Sequence, residues 1–195
     1  YGAVTLAGAS STAKSTGNSA INVIGSQSKY TAASITMDAN NVPVVSARTW
    51  NNPVDIISVQ VANTKSTITL GSSLSIADNN TFSADEVEFA AIIGDADVIT
   101  NTATTRGVSI GGVSAAPNYS EAVATNTITV NVGKETYKTN TDGTALTNLV
   151  IAAANGASQY ARTDLVNGSI VALGTGQAKA TQTNTTTLTA TSGGD

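Results

Sequence analysis

Thr67-Ile68-Thr69-Leu70 recurs sixty positions later as Thr127-Ile128-Thr129-Val130. Threonine, isoleucine and valine are β-branched, and such side chains suit pleated, half-buried surfaces. Ser109-Ile110 recurs as Ser169-Ile170 at the same offset, and Thr183-Asn184-Thr185-Thr186-Thr187-Leu188 echoes Thr125–Val130. The pattern predicts an internal repeat of about sixty residues, with copies at 67–112 and 127–174.

Working outward, short strands are expected near Ala20–Ile24, Ala32–Met37, Pro43–Thr49, Asp55–Ala62 and Ser66–Leu70. Others fall near Val98–Thr102, Val108–Ile110, Thr127–Val132, Ser169–Leu173 and Thr185–Thr191. Asp38-Ala39-Asn40-Asn41, Asn51-Asn52-Pro53 and Asp78-Asn79-Asn80 supply turn chemistry, because Asn and Asp tolerate left-handed backbone. Two segments read as helices. In the first, Ser83 and Glu86 form a capping box, Phe82 and Val87 a hydrophobic staple, and Gly94 the stop. In the second, Asp142 or Thr141 caps, Leu146, Leu149, Val150 and Ala153 share a face, and Asn155-Gly156 closes it. The expected fold is therefore mainly β, a β-sandwich or barrel-like domain with one or two short helices.

Composition narrows the function. The chain has 195 residues, with 41% hydrophobic and only 11% charged side chains, against about 25% charged in an average domain. Thr, Ser, Asn, Ala and Gly take the place of the missing charge. Cysteine and histidine are absent, which excludes disulfides, thiolate nucleophiles and imidazole ligands or proton shuttles. Net charge is −4, and the nine Lys and Arg residues are spread along the chain with no basic patch, so nucleic acid is not an expected partner. The longest apolar runs, Phe89–Ile93 and Leu149–Ala154, are too short to span a bilayer.

The first ten residues, with Ala3, Val4, Thr5 and Leu6 at their centre, form a β-capable stretch; Ser11–Asn18 follows as a polar linker. Residues 1–18 thus separate from a β-rich domain at 19–195. The start at Tyr1 rather than Met fits removal of a leader. A strand ahead of a linker can complete a neighbour's sheet, with Val4 and Leu6 filling pockets. This arrangement resembles that of secreted donor-strand filament subunits, the archaeal thread-like and TasA-like fibre proteins. The resemblance covers these eighteen residues and the composition, and it implies a homopolymer built by strand exchange.

Candidate chemistry is sparse. Asn79, Asn118, Asn167 and Asn184 begin Asn-x-Ser/Thr sequons and are candidate acceptors of surface glycans. Asp95 and Asp97, with Asp38 and Asp78 in other turns, are the candidate Ca²⁺ ligands, although no loop has EF-hand spacing. Glu86 and Glu88, placed on a helix, point to different faces. Trp50, the single tryptophan, reads as a core anchor rather than a sugar platform, and Gly111-Gly112 lacks the remainder of a phosphate loop. Neither a catalytic constellation nor a required cofactor emerges. The sequence points to a structural subunit of an extracellular filament, pilus-like thread or surface layer. The alternatives are a virion structural protein (tail-tube, capsid or decoration subunit) and a carbohydrate-binding or adhesin domain.

Overall fold

The computed structural model describes residues 4–138 and 146–191. The chain is mainly β, and the described residues contain no helix. It winds as a solenoid. The first coil comprises β1 (Val4–Val23), β2 (Lys29–Thr31), β3 (Ser34–Asn41) and β4 (Val45–Asn51). The second comprises β5 (Ile57–Ile76), β6 (Thr81–Ser83), β7 (Glu86–Ile93) and β8 (Ile99–Ser109). The third comprises β9 (Val113–Val132), β10 (Thr136–Lys138), β11 (Asn148–Asn155) and β12 (Ser158–Asn167), and β13 (Val171–Ala190) opens a fourth.

Equivalent strands of successive coils pair in parallel and form four sheets: β1-β5-β9-β13, β2-β6-β10, β3-β7-β11 and β4-β8-β12. Val4 lies beside Ile57, Ile57 beside Val113 and Val113 beside Val171, so successive coils take 53, 56 and 58 residues. The long sheet forms one wall. The β3-β7-β11 and β4-β8-β12 sheets together form the other, and the three-residue strands turn the corner between them. All strand pairings among the described residues are parallel, unlike the antiparallel layers expected of a sandwich.

Both expected helices are strands. Glu86–Ile93 places Val87, Phe89, Ala91 and Ile93 inward and sends Glu86 and Glu88 outward on one face. Asn148–Asn155 lies beside it residue for residue; Leu146 precedes that strand, and the proposed caps Thr141 and Asp142 lie outside the described residues. The short run Glu-Val-Glu-Phe fits a two-residue period as well as a helical one, and stacking on both neighbours decides the outcome. Gly94 and Gly156 mark the bend between the two short sheets rather than helix ends. Gly94 has φ +74°, and a Cβ there would collide with the Ala157 backbone. Asp38–Asn41, expected as a turn, ends β3. Ser11–Asn18, expected as a linker, runs within β1 and pairs with β5 throughout.

The register differs from the sixty-residue match. Thr67 lies beside Val123, and Thr127 beside Gly71. A slip of four residues keeps every side chain on its own face, so a Thr-aliphatic alternation is satisfied equally by several registers. The corner fixes the choice. Tyr30, Phe82 and Tyr137 stack there, with ring centroids 5.0 and 6.0 Å apart, and Phe89 meets Phe82 edge-on at 5.0 Å. Beside this ladder Asn80 ties three coils. Its Oδ1 accepts the Ser28 N–H at 3.1 Å, and its own N–H donates to Glu135 Oε2 at 2.7 Å. Asn79, at φ 69°, makes the turn that its residue type predicted, and Gln27 repeats it one coil earlier at φ 63°.

The interior has two halves. Towards the aromatic corner, Ile68, Leu70, Leu74 and Ile76 of β5 and Ile128, Val130 and Val132 of β9 face Val87, Phe89 and Ile93. Towards the other end the filling is small and polar. Ser58 hydrogen-bonds Ser109 at 2.7 Å, Thr64 bonds Thr105 at 2.7 Å, and Ser120 bonds both Thr105 and Thr163, at 2.8 and 2.9 Å. Ser66 donates to Asn101. Buried hydroxyls in such chains keep their partners at modest net gain, while apolar burial supplies the larger driving force. Phe82→Ala should therefore cost about 3–5 kcal/mol in urea denaturation. Tyr30→Ala, in the half-exposed first coil, should cost much less.

Candidate functional site

The chain has three arginines, Arg48, Arg106 and Arg162, more than fifty residues apart in sequence. One coil of the solenoid nearly equals that separation. Arg48 of β4 and Arg162 of β12 flank Thr104 of β8, and Trp50, Arg106 and Asp164 form the adjacent column. All lie on the outer face of the β4-β8-β12 sheet. The expectation that cations are scattered without a patch holds for the sequence but not for this face.

Trp50 is not a core anchor. It is 64% exposed, and the Arg106 guanidinium sits 5.9 Å from its ring centroid. Its direction follows from parity: Ala47 and Thr49 are buried, so Arg48 and Trp50 must face out. Tyr160 stands two coils away in a third column, beside Thr102, which lies beside Ser46. Arg162 Nε donates to Asp164 Oδ1 at 2.8 Å, and this bond, with the Tyr160 hydroxyl, holds the guanidinium still more firmly charged. Together the residues bound a shallow depression of about 400 Å³. Guanidinium forks beside exposed ring faces can hold a planar anion or a sugar ring; the set has no nucleophile–base pair.

The long sheet offers two other surfaces. Val4, Leu6, Ile57, Val61, Val113 and Leu173 project outward near its start and form an apolar stripe along the solenoid axis. Farther along, Lys65 and Lys179 flank Glu121 at 2.9 and 3.7 Å. The Lys65 ammonium holds the Glu121 carboxyl below its ordinary range.

The other residues singled out from sequence do not converge. Thr5 points inward and donates to Asp55, whereas Val4 and Leu6 point outward; Ala3 lies outside the described residues. Asn79 is exposed at its corner. Asn118 is 3% exposed inside the solenoid, where the folded chain cannot carry a glycan. Asn167 accepts from Ser114 at 3.0 Å, and Asn184 accepts from Asn126 at 3.1 Å. Asp95 accepts the Asp97 N–H at 3.0 Å, an Asx turn at the bend. Asp38 and Asp78 lie in separate places, and no group of three or more acidic side chains converges among the described residues.

No protein-family model, no curated protein and no solved structure matches the chain.

Glu135 is the buried carboxylate of the aromatic corner. It is 3% exposed, and its Oε1 lacks a partner among the described residues. Burial raises its pKa above the ordinary 4.5, although the Asn80 hydrogen bond opposes the shift. Burial also pushes the neighbouring Tyr137 up to about 12. Between the ordinary and the raised Glu135 values, the folded chain keeps a proton that the unfolded chain has lost. Stability must then fall as pH rises through that window. Glu135→Gln should be more stable than the parent at pH 7. The difference should vanish below that ordinary value of 4.5, when melting temperatures are compared across pH.

Proposed function

We propose that the chain is a structural building block of an extracellular filament, thread or surface layer that grows by parallel strand addition between neighbours. The single observation that carries this reading is the parallel, in-register stacking of equivalent strands, which continues through β13 along its whole length. Among the described residues, β13 pairs with β9 on one edge only; β12 packs beside it, and the Thr163 hydroxyl donates to the Gln177 carbonyl at 2.8 Å. A parallel edge such as that of β13, twenty residues long, is a template for a further strand that repeats the same alternation. β1, paired with β5 among the described residues, has side chains that alternate with the same period.

A neighbour that places its β1 over β13 would continue the long sheet and bury the inward-facing row of β13. The apolar stripe runs along the axis and would serve side-by-side contact between such rods. Low charge favours this association, since few like charges need to be brought together. Strand exchange, suggested by the resemblance to donor-strand subunits, takes a different form here, because β1 already pairs within its own chain. Addition at an edge replaces insertion into a groove. The virion and adhesin alternatives share the β-rich build, and the stacking of coils along one axis favours a filament or layer.

The edge can be blocked without disturbing the coil beneath it. Val171 and Thr191 donate their N–H groups to β9, at 3.0 Å each, so odd-numbered amides of β13 face inward along the stack. Even-numbered amides, including that of Ala180, face the open edge. Ala180→Pro removes a donor from that edge while sparing the bonds to β9. The variant should melt within about 1 kcal/mol of the parent and form no filaments or layers by electron microscopy. Assembly equal to the parent's would refute edge addition.

A further inference from the structure

We infer that the outer face of the β4-β8-β12 sheet is a binding site for a carboxylated polysaccharide, with Arg48, Arg106 and Trp50 as its main contacts. The inference is independent of how the rods assemble, since this face is separate from the open edges. It begins with segregation. The six lysines are distributed elsewhere, whereas all three arginines share this face. Arginine differs from lysine in presenting a planar fork that matches a carboxylate bidentately. Asp164 neutralises Arg162 alone. Arg48 and Arg106 have no carboxylate partner among the described residues, so the face carries net positive charge on an acidic chain.

The aromatic residues specify the ligand further. The only tryptophan and one of five tyrosines stand at opposite corners of the same face. Adjacent coils are about 4.8 Å apart, and residues two apart along a strand about 6.7 Å. Trp50 and Tyr160 are therefore separated by roughly 10 Å along the axis and 13 Å across it. Thr102 and Thr104 lie between them and offer hydroxyls. A chain of sugar rings crossing this diagonal would stack on both rings, meet hydroxyls in the middle and direct carboxylates to the two guanidinium groups. Duplex nucleic acid suits the face less well. Such ligands are held by rows of phosphate contacts, commonly six or more, and only three cations are here.

The single tryptophan reports directly on the site. Titrating the folded chain with oligogalacturonate should give a saturable change in its fluorescence that weakens with salt. Arg48→Gln and Arg106→Gln should each weaken binding about tenfold. Arg48→Lys, which keeps the charge and loses the fork, should fall between. Melting temperatures of these exposed variants should match the parent's, so loss of binding reads the site rather than the fold. Neutral dextran should cause no change. The inference is overturned if oligogalacturonate leaves the fluorescence unaltered, or if the double Arg48→Gln, Arg106→Gln variant binds as well as the parent. It is equally overturned if dextran binds as tightly, or if single-stranded oligothymidylate binds more tightly, since that would assign the face to neutral sugars or to nucleic acid.

Discussion

Parallel stacking in register is the constraint on which the rest of this molecule depends. Each residue of the long wall sits above its counterpart one coil away, so inward positions form columns that must be filled compatibly from coil to coil. Ile21, Leu74, Val130 and Leu188 form one such column, and Ser58 lies above Ser114 in another. Outward positions form columns as well. The aromatic corner and Asn80 then lock the coils against sliding, because a ring stack and a three-coil hydrogen-bonded post tolerate only one alignment.

The same constraint generates the functional surfaces. Residues remote in sequence become neighbours whenever their separation approaches one coil, which is how three arginines meet on one face. The stabilising interactions of a solenoid pass between nearest coils, so each surface column is set by the coils on either side of it.

Much of the architecture was legible, at a coarse level. The abundance of β-branched residues and the repeated Thr-Ile-Thr motif pointed to sheet, and Asp78-Asn79-Asn80 was a turn for the reason its residues gave. The two helices were misread because Glu-Val-Glu-Phe and Leu-Val-Ile-Ala are too short for their period to decide, and their stacking partners are more than fifty residues away. The register was misread because threonine-rich alternation matches itself at every even shift. The arginine face was the largest omission. Its signal was present in the spacing of Arg48, Arg106 and Arg162, which is close to one coil, yet that spacing has no meaning until the coil length is known. Trp50 was assigned to the core from its residue type, while the parity of Ala47 and Thr49 turns it outward.

The register itself is open to a direct chemical test, since the chain contains no cysteine of its own. Adjacent coils place Thr67 and Val123 with Cα atoms about 4.8 Å apart, within the range a disulfide can bridge. Thr127 lies four residues farther along the neighbouring strand, roughly 13 Å from that point. Thr67→Cys paired with Val123→Cys should oxidise to an intramolecular disulfide with the fold retained, and Thr67→Cys paired with Thr127→Cys should stay reduced. Bridging by the second pair and not the first would contradict the stacking described here.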